Sequence, residues 1–261
     1  MNEPQMQNTN GIKYISSNLL ERTGVVHAFL SRVGGASSTP FDTLNFDGRD
    51  TDKKENIAEN NLRLARAFGI TAPVATVNQV HGNSVFLLDP STVDAKAEAD
   101  AIITSMKGAA VGVLTADCVP ILVLDPVQKA VAAIHAGWKG TVRLIAKETV
   151  EAMRANFNSD AKDLVAAIGP HIGPCCYSVG TEVADEFRRS FGENPACLKP
   201  TGEGASADLG EANVSALLSA GLKKENISFE PVCTSCNNGL FFSYRKENGR
   251  TGRQLSFIAL R

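Results

Sequence analysis

Three residues of this chain are of the types that hold a metal or act as nucleophile and base, and each ends an apolar run. Cys118 falls in the sharp step Ala116-Asp117-Cys118 between two such runs, residues 109–114 and 119–124. His135 ends a third, residues 130–134, and leads into Ala136-Gly-Trp-Lys-Gly140, while His81 closes Asn78-Gln-Val-His81 after residues 73–80. Apolar runs of this length, bounded by turn residues, read as buried strands. A strand end on a rigid scaffold is where reactive groups are placed most accurately. One thiolate and two imidazoles suit zinc, whose tetrahedral sphere would keep its fourth position for water or substrate. The wide spacing of the three excludes a finger-like structural site. The same residues support a second chemistry without metal, with Cys118 as nucleophile and His135 as its base. Taken singly, each is more commonly a buried thiol or a hydrogen-bonded core imidazole. The shared position at strand ends is what joins them.

The other candidates are weaker. Lys139 and the Gly137-Trp-Lys-Gly140 turn precede an amphipathic pattern, so backbone N–H groups and the ammonium together could hold an anion; a plain strand-to-helix turn is the commoner meaning. Asp117 is an acid beside the thiol. Cys233-Thr-Ser-Cys236 is a lone C-x-x-C, weak evidence for structural zinc or redox work without a second pair. Cys175-Cys176 in its proline-bounded loop reads as a pair of small buried hydrophobes, and His27 and His171 read as structural. The zinc deaminase signature fails, because Val232 separates Pro231 from Cys233 and no histidine is followed two residues later by glutamate. Glycine-rich nucleotide-binding loops of the Rossmann and P-loop kinds are absent.

Around these residues the pattern predicts strands at 13–15, 24–30, 73–80, 84–88, 100–104, 163–169, 228–233, 240–244 and 254–260. Helices are expected at Lys54–Phe68, stopped by Gly69, at 142–157, at 180–191 and at 208–222 with Asp208 as N-cap. Strands and helices alternate without a strict βαβ repeat, which points to an α+β fold of mixed β-sheets flanked by helices. Length fits a single domain over residues 11–261, preceded by a polar, disordered leader at 1–10 that lacks the features of a signal peptide. A formal charge of −2 with interspersed signs argues against nucleic acid. No run approaches the ~18–20 apolar residues of a membrane span. A cytoplasmic location with its six cysteines reduced follows.

Several blocks together resemble one family. Asn78-Gln-Val-His81, Thr115-Ala-Asp-Cys118, His135-Ala-Gly-Trp-Lys-Gly140, Ile168-Gly-Pro-His-Ile-Gly-Pro-Cys-Cys-Tyr177, Phe241-Phe-Ser-Tyr-Arg245 and Thr251-Gly-Arg-Gln254 look like the signature of the bacterial YfiH/YlmD family. It is also called the laccase-domain or polyphenol oxidase family and is related to human laccase domain-containing protein 1. The resemblance runs from about His27 to the C-terminus. It implies an α+β YfiH-like fold of mixed sheets flanked by helices, shared with some bacterial cysteine-dependent toxins. It also implies phosphorolysis of adenosine, inosine, guanosine and S-methyl-5′-thioadenosine, with deamination of adenosine. Zinc would be held by His81, Cys118 and His135, with copper as a substitute metal. By analogy Arg32 and Asn45, with Lys139, would line the pocket for a purine nucleoside and phosphate, in a monomer or homodimer. Departures at Leu30-Ser-Arg32, Asn45-Phe-Asp-Gly48 and Glu59-Asn-Asn61 bear on specificity and leave the metal ligands untouched. The oxidase name meets a counting problem, since a four-copper site needs about ten histidines and the chain has four. Editing of cell-wall precursors by a cysteine-dependent hydrolase or amidase is the remaining alternative.

Overall fold

The computed structural model describes residues 4–49, 51–93, 95, 97–202, 204–229 and 231–260. Its centre is a pair of neighbouring strands, Val119–Asp125 and Ala130–Ala136, every residue of which is buried. Continuous apolar runs of this kind need cover on both faces, and period-two alternation sends their side chains to two different cores. Ile121, Val123, Ala132 and Ile134 pack against the helices Ile145–Phe157 and Leu209–Ser219. Leu122, Leu124, Val131 and Ala133 face the other way and meet Phe29, Val111, Val113 and Ile258 of a second sheet. The layers therefore run helix, sheet, sheet, helices.

The central sheet has six strands in the order Ile227–Phe229, Val165–Ile168, Val119–Asp125, Ala130–Ala136, Ala101–Thr104, Val85–Leu87. Its outermost pairs are parallel and its inner pairs antiparallel. The second sheet is antiparallel throughout, in the order Gln7–Thr9, Ile12–Ile15, Val26–Leu30, Gln254–Ala259, Ala110–Thr115. Its outer face is covered by the helix Lys54–Phe68, whose Leu64 packs with Ile12, Leu30 and Phe257. A three-stranded sheet, Ser178–Gly180, Gly204–Ala207 and Leu198–Thr201, sits beside the helix Thr181–Phe191. This is the expected α+β arrangement of mixed sheets flanked by helices. No helix among the described residues is long and apolar enough to cross a membrane.

Local signals hold where a single residue decides the backbone. Gly69 ends its helix in the left-handed conformation (φ 65°), its N–H returning to the Ala65 carbonyl. Asp208 caps the helix Leu209–Ser219 by accepting the Glu211 N–H. Four expectations change. Residues 73–80 make only isolated bridges, Ala75 to Val111 and Asn78 to Glu98, because the Gln79 side chain, not its backbone, takes both backbone groups of Leu114. Residues 240–244 form turns, with Phe241 and Phe242 fully buried and the Phe242 N–H donating to the Gln254 side chain. The helix expected at 142–157 is two, Trp138–Val142 and Ile145–Phe157, divided at Leu144 with φ 58°. Of the polar leader, residues 1–3 lie outside the described residues, but Gln7–Thr9 is a strand paired with Ile12–Ile15. Asn10 and Gly11, at φ 51° and 87°, supply the tight turn between them.

Leu122 lies wholly buried between the two sheets. Leu122→Ala should lower the free energy of unfolding by about 2–5 kcal/mol, read from urea titration. A loss under about 1 kcal/mol would show that the inter-sheet core is not close-packed at that point.

Candidate metal centre

The Ala116-Asp117-Cys118 step is where the chain changes sheets. Ala110–Thr115 belongs to the five-stranded sheet and Val119–Asp125 to the six-stranded one, so three residues must cross between layers. Asp117 takes φ 89° to do so, an uncommon conformation for a residue with a side chain that surrounding structure must hold. Its carboxylate supplies that hold, accepting the Thr234 hydroxyl at 2.6 Å and the Arg245 N–H at 2.7 Å. Asp117 is thus a tie for the turn, with both oxygens engaged. Cys118 emerges at the mouth of the inter-sheet space. His135 enters the same space because it alternates with Val131 and Ala133 on that face of its strand, opposite Pro120.

His81 reaches this point from the other side, in a turn with φ 58°. Asp100 fixes that turn. It is completely buried, and its Oδ1 accepts the His81 N–H at 2.9 Å and the His135 Nδ1–H at 2.8 Å. Its Oδ2 accepts the Gly82 N–H at 2.5 Å and the Val80 N–H at 3.3 Å. Burial pushes the Asp100 carboxyl up, but the hydrogen bonds from His135 and Gly82 and the His135 charge outweigh it and hold it below the ordinary value. With Nδ1 committed to the carboxylate, His135 turns its other ring nitrogen toward Cys118, the carboxylate–histidine arrangement that orients metal ligands.

One donor atom each from His81, Cys118 and His135 lies within 4.8 Å of the others, and the two imidazoles meet edge to face with centroids 4.8 Å apart. Gly137 closes the other side. A Cβ there would come within 2.6 Å of His81 Nδ1 and 3.2 Å of Cys118 Sγ, so only a residue without a side chain leaves the ligands their room. The donor set, two imidazoles and a thiol, fits zinc or copper. Burial by itself pushes the Cys118 thiol up, yet the His135 charge and hydrogen bonds from His135 and His81 bring it down to about 6. Burial likewise lowers His135, and the Cys118 thiolate with Asp100 raises it to about 9. The two shifts run in opposite directions, drawing Cys118 toward the thiolate and His135 toward the imidazolium, a pairing suited to cation binding or to nucleophilic attack.

Two cavities meet at these ligands. One, about 500 Å³, is lined by Asp47, Arg49, Gln79, Tyr244 and Arg253 together with His81, Cys118 and His135. The other, about 330 Å³, is lined by Val80, Asp117, Trp138, Lys139, Ile172, Tyr177 and Leu209 together with His81 and Cys118. Of the residues expected to contact substrate, Lys139 is at the second cavity, its ammonium 5.6 Å from the Trp138 ring. Arg32 and Asn45 line neither. Arg32 is buried over the Phe242 ring and bonded to the carbonyls of Asp42 and Asn238 and to Glu247. Asn45 sits behind the first cavity, where its side chain bonds the Asp47 carbonyl and accepts the N–H groups of Asp47 and Arg253. It positions two lining residues without being one. The pairing of Asp100 with His135 escaped the sequence reading, as did Arg49, Arg253 and Tyr177. Nothing in their spacing joins them, since they come from separate loops.

Asp100→Asn keeps the shape and removes the charge behind His135. Competition with a chelator for added Zn²⁺ should show affinity lowered about 10–100-fold, and an unchanged affinity would remove Asp100 from the site.

A sequence model of the family described as "Multi-copper polyphenol oxidoreductase laccase" matches residues 26–261. The purine nucleoside phosphorylase of Deinococcus radiodurans is 39% identical over 241 residues, 90% of this chain and 89% of that one. The purine nucleoside phosphorylase YlmD of Geobacillus stearothermophilus is 36% identical over 250 residues, 91% of each chain. The crystal structure of YlmD from the same organism superposes with a TM-score of 0.90 at 33% identity over 98% of both chains. Sequence, layer order and the shared fold agree, and the chain belongs to the YfiH/YlmD laccase-domain family.

Proposed function

We propose that the chain is a zinc-dependent purine nucleoside phosphorylase, with zinc held by His81, Cys118 and His135. The observation that carries the reading is the meeting of two unlike cavities at those three residues, and the names of the relatives support it. The larger cavity has two guanidinium groups, Arg49 and Arg253, against one carboxylate, Asp47. This net positive lining is where phosphate belongs. The smaller cavity offers the flat faces of Trp138 and Tyr177 with Ile172 and Leu209, a surface for a purine. The ribose then lies across the ligands between them. A phosphate oxygen forms its bond to C1′ as the C1′–N9 bond breaks, and the bonding pair leaves with the purine, which takes up a proton.

Burial, with the charges of Cys118 and Asp117, pushes the Tyr177 phenol up to about 12. It stays protonated at neutral pH and steadies the departing base with a hydrogen bond, while the proton the base takes up comes from solvent. Bound zinc supplies Lewis acidity toward oxygen donors of the substrates. Adenosine, inosine, guanosine and S-methyl-5′-thioadenosine are the substrates of this reading, since what the cavities select is a purine and a sugar C1′. Adenosine deamination is its second activity, with water arriving at C6 in place of phosphate at C1′. The oxidase alternative gains nothing from the site. His27 accepts the Ser17 N–H, and His171 is bonded to the Gly169 carbonyl, which leaves two of four histidines for copper. A metal-free cysteine hydrolase has one observation in its favour, the Cys118–His135–Asp100 series. His81 counts against it, because a nucleophile and base have no need of a second imidazole.

Zinc-loaded protein should release free base from adenosine and inosine only when phosphate is present, and Cys118→Ala should abolish release. Arg253→Ala should raise the KM for phosphate about 10–100-fold, the worth of one charge-assisted hydrogen bond, with a smaller effect on the nucleoside. Activity that survives complete removal of zinc, or amide hydrolysis without phosphate, would favour the hydrolase. Ammonia release from adenosine without phosphate measures the deaminase activity separately.

A further inference from the structure

The four cysteines Cys175, Cys176, Cys233 and Cys236 come from two loops far apart in sequence, and the fold gathers them. Their sulfurs all lie within 4.8 Å of one another. Cys175 Sγ and Cys176 Sγ stand 3.6 and 3.4 Å from Cys236 Sγ. That is far outside the ~2.05 Å of a disulfide. Four sulfurs at about 2.3 Å from one zinc lie about 3.8 Å apart along the edges of their tetrahedron, so the observed separations are those of a shared coordination sphere.

Backbone pairing brings the loops together independently of the sulfurs. His171 pairs with Cys233 in a parallel bridge, with His171 N–H donating to the Val232 carbonyl at 3.1 Å and Thr234 N–H to the His171 carbonyl at 2.9 Å. Gly173 makes the approach feasible. A Cβ there would lie 3.2 Å from Cys233 Cβ and 3.4 Å from Cys175 Sγ. Among the described residues, no carboxylate or imidazole joins this cluster. Its donors are sulfur alone.

We propose that Cys175, Cys176, Cys233 and Cys236 bind one zinc ion in a closed four-thiolate site, separate from His81, Cys118 and His135, that clamps residues 169–177 to residues 233–245. This goes beyond the phosphorylase reading and does not rest on it. Four sulfur ligands complete a tetrahedron and leave no position for substrate, the pattern of structural sites. Thiolates select zinc over the hard oxygen-seeking cations. Each thiol gives up its proton as its sulfur takes the metal, so binding releases four protons for one Zn²⁺. The site then carries two excess negative charges. Arg245 lies beside it, its guanidinium bonded to the Cys176 carbonyl at 3.4 Å and placed 5.3 Å from the Tyr177 ring.

The clamp stands behind the candidate active site. Thr234, between two of the ligands, donates its hydroxyl to Asp117, and Arg245 N–H donates to the other oxygen of the same carboxylate. Ile172 N–H donates to the Asp117 carbonyl at 2.9 Å from the opposite loop. Both clamped loops therefore grip the residue before Cys118. Tyr177, which lines the smaller cavity, follows Cys176 directly.

The test uses the full chain carrying Cys118→Ala, purified under reducing conditions, so that the only intact site is this one. Elemental analysis and native mass spectrometry should find one zinc per chain, lost when Cys236→Ser is added. Cobalt substituted into the Cys118→Ala protein should give the intense sulfur-to-cobalt absorption of a four-thiolate centre, which decides the matter even where the double variant does not fold. A Cys118→Ala protein free of metal that also gives no such cobalt band overturns the proposal. So does an intact mass lower by one or two pairs of hydrogens, which would report disulfides among these four thiols.

Discussion

One buried carboxylate organises the site. Asp100 has no contact with solvent, and a carboxylate left unpaired in that position would cost several kcal/mol. Three backbone N–H groups of the 80–82 turn and the His135 imidazole satisfy it. The same bonds that make the charge tolerable also bring His81 and His135 to one place. The strand register sets this up, since Ala101 pairs with Ile134 and the His135 N–H donates to the Asp100 carbonyl at 2.7 Å. A slip of one residue would turn His135 toward the helices and away from Cys118.

The second constraint is the passage between sheets. Strands of two different layers are joined by only Ala116, Asp117 and Cys118, which puts the thiol where the inter-sheet core opens. Such a short crossing needs a left-handed residue, and Asp117 takes that conformation because its carboxylate is held from the far end of the chain by Thr234 and Arg245. Residues 233–245 thus support the candidate site without contributing one of its three donor atoms. A four-thiolate clamp on those residues would give the site a rigid backing where the chain otherwise forms turns.

The two cavities give the site its asymmetry. Arg49, Arg253, Asp47 and Tyr244 line one side; Trp138, Tyr177, Ile172 and Leu209, with Lys139 and Asp117, line the other, and His81 and Cys118 are common to both. That division matches a reaction with one anionic and one flat, largely apolar partner. The family model is named for copper oxidation and the relatives for purine nucleoside phosphorylase; two imidazoles and a thiol suit a single metal ion, not the several of a multicopper centre.

The sequence by itself picked out the three candidate ligands that the structure brings together, and most of the elements. Cys118, His135 and His81 were legible because each ends an apolar run. The central strands were legible because burial on both faces demands unbroken apolar residues, and Gly69 and Asp208 marked helix ends through the backbone geometry each favours. The tertiary structure alone decided what depends on residues distant in sequence. It placed Asp100 behind His135, put Arg32 and Asn45 in supporting loops outside the cavities, and left residues 73–80 as an irregular segment with isolated bridges and residues 240–244 outside any strand. It also joined a lone C-x-x-C to a Cys-Cys pair. Periodicity and capping report on neighbours within a few residues, whereas these contacts are fixed by how layers stack and where loops converge, and no local pattern carries that information.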